Sequence, residues 1–505
     1  MSKKVSVPVP QCLAELEAMV QRDLQLLNYP PNNWVVQRSS RHSEFAAQPV
    51  LDVIIIGAGM CGLSAAFALL RRGVRNLRVV DRNAAGFEGP WLHSARMRTL
   101  RSPKHLTGPA QGLPNLTCRA WFEAQWGAQA WQELGRIPRT MWMDYLCWFR
   151  TVLALPVDNQ VNVRRIVAPQ GASHDPFTLE LDVANGKQVI FARKVVLASG
   201  RDSMATPRIP EPFGPYFDAA GTGPVQHSSQ DIDFARLRKR TVAVLGIGAS
   251  AMDNAACALD AGAARVHLLA RAHAVPRINK AKGIVYGGFT EGFPHLPDAQ
   301  KLRRLSYIAN YRVAPPRQSV LRVASHHAFE LHMGTQVQRV ERRQDGHEGG
   351  LILHTAEVAL AVDHVILATG FGVDLSAVAQ LRDFQQHIAR WHERVQPSAE
   401  DEGSEFLQFP YLGDGFQFTE RQAGSAPYLR DLYCFNFAAA PSHGNVSGDI
   451  PAVSEGAERL ANGIVRHIFV QDAAQSWQAL QDFNEAELLG DEFEGVSWWP
   501  PLDAD

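Results

Sequence analysis

An α/β fold made of two Rossmann-like dinucleotide-binding domains, the second inserted into the first, is the architecture this 505-residue sequence predicts. Three observations lead to it. Gly57, Gly59 and Gly62 lie in VIIIGAGMCGLSAAFALL, between a short apolar run and a small-residue helical stretch. Gly246, Gly248 and Ala251 repeat that arrangement in VAVLGIGASAMDNAACAL. The strand ends VVLASGR (195–201) and VILATGF (365–371) resemble each other and flank the second repeat, as a double hinge would. The expected boundaries are a helical extension over 1–50, a first nucleotide domain over 51–205 and 366–471, a second over 206–365, and a tail over 472–505.

The elements follow in order. Leu13, Leu16, Val20, Leu24 and Leu27 recur at helical spacing over 12–28, and Pro30 and Pro31 stop that amphipathic helix. The first nucleotide unit fills about 51–83. Residues 84–150, rich in Trp, Arg and Pro, read as an insertion ending in a helix around TMWMDYLCWFRTVLAL. Strands follow over 161–200, with Asn185-Gly186 as the hairpin turn. The second unit starts near 241, a basic helical region covers 298–330, and strands return over 335–369. The chain is irregular after 375. A strand, a Gly/Ser/Pro loop and a long helix then occupy LYCFNFAAAPSHGNVSGDIPAVSEGAERLANGIVRHIF.

Composition sets the limits. Hydrophobic residues make up 46% and charged residues 20%, which fits a packed globular protein of several domains. A net charge of −1 gives no footprint for nucleic acid or an anionic membrane. The six cysteines form no CxxC pair, which argues against a disulfide framework, a zinc ribbon and a dithiol centre, and no metal site is read from the sequence. Acidic and basic residues interrupt any N-terminal signal core, and no apolar stretch is long enough to span a bilayer, so a cytoplasmic location is expected. The eleven tryptophans cluster over 91–148 and at the C-terminus, as aromatic packing surfaces or a roomy organic-substrate site would require. The N-terminal helix and the Trp-rich tail could also pack against a second subunit.

The glycine spacing has a mechanical basis. The first glycine lets the chain turn off the strand, the second lets backbone approach a pyrophosphate, and the third position must be small for helix and strand to pack. The helix N-terminus then meets the phosphates with free N–H groups. Asp81, followed by Arg82, ends the strand after the first turn, where a carboxylate holds a ribose hydroxyl. In the second unit, where Ser250 precedes Ala251, the matching strand ends in Arg271 and has no acid. An arginine there suits a 2′-phosphate, hence NADP. Two dinucleotides in one chain imply electron transfer between them.

These residues resemble the class B flavoprotein monooxygenases, a group that takes in flavin-containing monooxygenases, Baeyer–Villiger monooxygenases and amine N-hydroxylases. The resemblance covers roughly 50–470. GPW (89–91) is similar to the segment beside the flavin, the second turn has the form G-x-G-x-S-A, and DHVILATGF (363–371), with Thr369 and Gly370, fits the hinge pattern. The resemblance implies FAD on the first unit and NADPH on the second. It also implies a flavin hydroperoxide that oxygenates a small organic molecule with O2. Oxygenation at nitrogen is favoured because VQHSSQ, TLRSPKHL, IPRTMWMDYLCW and SHG are similar to N-hydroxylase segments. Baeyer–Villiger oxidation of a ketone is the first alternative, although the tryptophan expected after His227 is missing. An NADPH-dependent flavin reductase or oxidase without oxygen transfer is the second. The lysine- and ornithine-binding pattern is not recognisable in GGFTEGFPHLPD (287–298).

Candidate residues each carry two readings. His227 contacts NADP and orients the oxidant, or is a packed, hydrogen-bonded histidine. Arg317 and Arg322 stabilise an anionic oxidant, or bind phosphate, cap a helix or face solvent. Trp91 lies against the flavin or in ordinary core. Arg96, Arg98, Arg101 and Lys104 form a basic run; Arg101 and Lys104 receive a carboxylate substrate or the FAD phosphates, or the run is a solvated face. Ser442, His443 and Asn445 sit on the loop before the final helix, whose N-terminus points at the flavin carbonyl edge.

Overall fold

A computed structural model describes residues 10–39, 48–169, 175–201, 204–343 and 350–497. The tail residues Trp498 and Trp499, part of the expected C-terminal aromatic surface, lie outside the described residues.

The chain opens with α1 (Leu13–Leu26), followed by β1 (Arg38–Ser39) and β2 (Pro49–Ile56). The apolar face of α1 is narrower than the spacing of those five apolar residues suggests. Leu16, Val20 and Leu24 are buried, whereas Leu27 falls past the helix and is 53% exposed. That buried face packs on the protein's own insertion. Trp148 donates to Glu17 at 3.1 Å, Gln21 to the Val152 carbonyl at 2.8 Å and Asn115 to Asp23 at 2.7 Å.

From β2 the chain enters α2 (Met60–Leu70), then β3 (Leu77–Val80). The insertion supplies α3 (Cys118–Glu133), α4 (Arg139–Val152) and β4 (Val157–Asp158). An antiparallel meander follows: β5 (Asn162–Val167), β6 (Phe177–Val183) and β7 (Gly186–Leu197). Val183 pairs with Gly186, so the hairpin turn falls on Ala184-Asn185. Gly186 opens β7 at φ +128°, a value that favours glycine.

Beyond β8 (Ala205–Pro207), the second domain comprises β9 (Val225–His227), β10 (Thr241–Leu245), α5 (Ala249–Asp260), β11 (Arg265–Ala270), α6 (Gly287–Gly292), α7 (Asp298–Asn310), α8 (Arg317–Ala324) and β12 (Phe329–Met333). A three-stranded antiparallel sheet, β13 (Arg339–Arg342), β14 (Leu351–His354) and β15 (Ala359–Val362), precedes β16 (His364–Leu367) and β17 (Phe371–Val373). The chain returns to the first domain through β18 (Leu432–Cys434), α9 (Ala440–His443), α10 (Val453–Gln471) and α11 (Ala473–Asp482).

The first sheet runs β4-β3-β2-β7-β6-β5, with β18 beside the C-terminal half of β7. Its parallel strands are almost wholly apolar because helices cover both faces; Val53, Ile54, Ile55, Val195 and Val196 are all 0% exposed. The second sheet, β12-β11-β10-β16-β9, is parallel throughout. The two domains meet at a small ladder in which β8, leaving the first, pairs antiparallel with β17, returning to it. This ladder lies where the sequence places the double hinge, and every strand of the second sheet falls between β8 and β17.

Candidate active site

The two glycine turns share one contact. Gly57 leaves β2 at φ +106°, and a Cβ there would lie 2.7 Å from the Ala198 carbonyl oxygen just past β7. Gly246 leaves β10 at φ +127°, and its Cβ would lie 2.5 Å from the Ala368 oxygen just past β16. Each turn therefore crosses the end of one hinge strand, too close for any side chain. The third positions differ for a steric reason. A Cβ on Gly62 would sit 1.8 Å from the Gly57 oxygen, whereas the Ala251 methyl is accommodated in the second turn, 0% exposed.

The first turn has the features of a dinucleotide cradle. Gly59 caps α2, and its Cα approaches Gly89; a Cβ would be 3.7 Å from the Gly89 Cα. Trp91 is half-buried beside this pair and packs edge-on against Trp142 at 6.3 Å. Asp81 is buried. Its carboxylate accepts from the Ala58 N–H inside the turn and from the Asn83 N–H, each at 2.8 Å. Each oxygen keeps a further acceptor site for a ribose hydroxyl. Arg82 is exposed next to it. In the second turn Gly248 caps α5 with nothing within 4 Å of a Cβ position. Ser250 is exposed on the first turn of α5 and accepts from the Asn254 amide. Arg271 is exposed immediately after β11, and the Gly246 N–H donates to Leu269 on the same strand at 2.9 Å.

The hinge strands carry the two units toward each other. Past Ala198 the first reaches Arg201; past Ala368 the second reaches Thr369, Gly370 and Phe371. The Arg201 guanidinium lies over the Phe371 ring, 5.8 Å from its centroid. Arg201 is open to solvent, yet protein packed around its guanidinium desolvates part of it. That burial lowers its pKa, and the positive charge of Arg101 adds to the effect while Asp449 opposes it. Asp449 is held protonated more readily than an ordinary carboxylate, chiefly by burial. Its side chain accepts from the Ile450 N–H on the approach to α10. Neither Arg201 nor Asp449 was picked out as a site residue by the sequence reading. The signals were there: Arg201 ends the first hinge repeat, and Asp449 follows a glycine just before the final helix.

The loop from 440 to 449 is anchored rather than reactive. The Ser442 hydroxyl accepts from the Leu412 N–H at 3.2 Å. His443 is buried and stacks on Phe416 with ring centroids 3.7 Å apart, and its Nε2–H donates to the Gly413 carbonyl at 3.0 Å. Burial, reinforced by Arg459, pushes its pKa down to about 3, so it is neutral and cannot act as an acid near pH 7. Asn445 is exposed between two fixed points. Gly444 packs near Phe293 and Phe289, and the Ser447 carbonyl accepts from the Cys61 thiol on α2 at 3.3 Å. Asn445 and Gly448 are exposed while Val446, Ser447 and Ile450 are buried.

Other candidates take structural positions. His227 is 0% exposed and doubly bonded. Its Nε2–H donates to the Gly370 carbonyl at 3.1 Å and its Nδ1 accepts from Ser229 Oγ at 2.8 Å, so it braces the hinge. Arg322 is committed to Asp260, with Nε donating at 2.9 Å near the C-terminal end of α5, away from the turn. Arg317 is exposed at the start of α8. Lys104 caps α3: its ammonium donates to the carbonyls of Trp131, Gln132 and Leu134. The basic run is divided rather than pooled. Arg96 bonds the Gln230 carbonyl at 3.0 Å, Arg98 pairs with Asp260 at 2.8 Å and Arg101 with Asp253 at 3.4 Å. These contacts lace the insertion to the second domain, Arg98 and Arg101 to α5 and Arg96 to the loop after β9. Arg101 alone also faces Arg201.

Comparison with known proteins agrees with this arrangement. A family model described as pyridine nucleotide-disulphide oxidoreductase matches residues 54–285. The FAD-dependent urate hydroxylase of Xanthomonas campestris pv. campestris is 36% identical over 478 residues, covering 95% of this chain and 98% of the relative. Among solved structures, an ornithine N-hydroxylase of Kutzneria sp. 744 with FAD, NADP+ and L-ornithine matches with a TM-score of 0.64 at 18% identity, over 83% of this chain and all of the other. The ornithine hydroxylase of Pseudomonas aeruginosa matches with a TM-score of 0.63 at 17% identity, again over 83% of this chain and all of the other. At such identity these structures share the fold.

Proposed function

This chain belongs to the class B flavoprotein monooxygenases, and on that premise we propose that it hydroxylates a small, planar, anionic nitrogen heterocycle of the urate class. It is an FAD- and NADPH-dependent enzyme. FAD, when bound and reduced by NADPH, supplies the activated oxygen. The rest is the protein's own work: the two turns orient the cofactors, and the hinge joins the two nucleotide units.

The single observation that carries the substrate reading is the end-to-end match with a urate hydroxylase. The grouping of Arg201, Phe371 and Arg101 supports it. Arg201 offers a rigid planar fork of donors, which suits the carbonyl-and-nitrogen edge of an oxidised purine better than a flexible ammonium would. Phe371, already under that guanidinium, offers an aromatic face beside it. Arg101 adds positive charge beside Arg201, which favours an anion there over a cationic amine.

Oxygenation at nitrogen is the second reading. It rests on short segments such as TLRSPKHL and SHG and on neighbours that share the fold. Baeyer–Villiger oxidation loses its arginine argument, because Arg322 is paired with Asp260 and Arg317 is exposed at the start of α8. No helix among the described residues is long and apolar enough to cross a membrane. The test is NADPH oxidation in air with urate, L-ornithine, L-lysine or cadaverine, with the organic products identified. Stimulation by urate and a hydroxylated purine product would support the proposal. Stimulation by an amine, with a hydroxylamine product, would overturn it.

A further inference from the structure

The edge of the second sheet holds a cluster that neither cofactor needs. β11 and β12 pair in parallel with His267 opposite Glu330 and Leu269 opposite His332. Side chains alternate along a strand, so Glu330 and His332 share a face, and the register brings His267 onto it. Val266, Leu268 and Ala270 point the other way, into the core under α5. His267 Nδ1 lies 3.0 Å from Glu330 Oε2 and 3.1 Å from His332 Nε2; His332 Nε2 lies 3.7 Å from the same carboxylate oxygen.

Three mutual contacts of this length are not what a hydrogen-bonded chain gives. A proton between two of the atoms leaves the third facing a lone pair or a second proton. A cation satisfies all three together. The separations bracket the roughly 3.3 Å edge of a tetrahedron whose corners lie about 2.05 Å from its centre, the zinc–nitrogen and zinc–carboxylate distance. The donors are two imidazoles and one carboxylate, the set that suits zinc and neighbouring first-row divalent ions.

We infer that His267, Glu330 and His332 form a zinc-class divalent metal site that clamps edge strand β12 to β11. His267 is the buried anchor, with a side chain 6% exposed, while His332 and Glu330 are 24% and 40% exposed and let the ion and a fourth, water ligand in from solvent. The second carboxylate oxygen of Glu330 faces Arg265 Nε at 3.3 Å, which fixes the carboxylate and turns Oε2 inward. The site stands four residues before Arg271, about 13 Å along the strand, so it is structural with respect to the coenzyme.

The experiment uses FAD-loaded enzyme stripped with EDTA, dialysed and titrated with zinc sulfate, beside His332→Ala and Glu330→Gln. Calorimetry should give one zinc per wild-type chain, with affinity at least about 100-fold weaker in His332→Ala. Zinc should raise the thermal midpoint of wild type and not of His332→Ala. The flavin spectrum and NADPH oxidation of both variants should remain those of wild type, which shows that they fold. Cobalt(II) on wild type should give the intense visible absorption of a four-coordinate ion. Absence of a stoichiometric site, equal zinc affinity in wild type and both variants, or the weak spectrum of hexahydrated cobalt would overturn the inference.

Discussion

Replacing Arg271 with alanine isolates one electrostatic contact. Arg271 is exposed directly after β11, beside the second glycine turn, and no intramolecular hydrogen bond or ion pair engages it among the described residues. Its loss therefore orphans no partner, and stability should shift by no more than about 0.5 kcal/mol. If Arg271 holds the 2′-phosphate of NADPH, what is lost is that contact. A charge-assisted hydrogen bond contributes about 1.5–3 kcal/mol, and exposure favours the lower end of that range. At 1.4 kcal/mol per decade, the KM for NADPH should rise roughly 10- to 30-fold, while that for NADH changes less than about twofold. Steady-state kinetics with both coenzymes, at two salt concentrations, reads this directly. The NADPH effect should shrink at high salt. Equal changes for NADPH and NADH would refute the assignment of Arg271 to the phosphate.

Gly62→Ala should abolish or sharply reduce flavin retention, because its Cβ would fall 1.8 Å from the Gly57 oxygen; the mirror change Ala251→Gly should cost only about 1 kcal/mol in urea unfolding. A yellow, stable Gly62→Ala protein would contradict the packing argument. Arg201→Ala should lower kcat/KM for urate about 10- to 100-fold, with the KM for NADPH unchanged, as expected for one lost charged bond to substrate. Asp52 is 0% exposed, and burial pushes its pKa up to about 7 from 3.8, partly offset by Arg193. The native state thus holds a proton that the unfolded chain has released. That contribution is complete below pH 4 and is lost as pH rises through about 7. Asp52→Asn should therefore be more stable than wild type at pH 8, by roughly 2–4 kcal/mol, with the gap closing toward pH 4. Parallel denaturation curves at the two pH values would show a constant difference if this is wrong.

The cofactor turns were legible because their information is local. Gly57, Gly62, Gly246 and Ala251 report a backbone constraint met within a few residues, and the repeat VVLASGR and VILATGF announces the hinge. Long-range partners were not. Nothing near Lys104 in sequence says that it will cap α3, and nothing near Arg322 points to Asp260. The basic run 96–104 looks like one anion patch until the fold assigns each member a different partner. Arg201 was overlooked because it reads as the end of a strand. It becomes a site residue only when the second hinge strand brings Phe371 beneath it. The His267, Glu330 and His332 cluster needs the β11 and β12 register, which no spacing rule in the sequence encodes. The N-terminal helix shows the same limit in reverse. Its apolar spacing is real, but only the fold shows that its own insertion covers it.

The most direct test of the central claim is isotopic. The enzyme is turned over with NADPH and urate under 18O2, and the organic product is analysed by mass spectrometry. The account predicts one 18O atom in each product molecule and one NADPH consumed for each. NADPH oxidation that yields only hydrogen peroxide, or a product whose new oxygen comes from water, would contradict it.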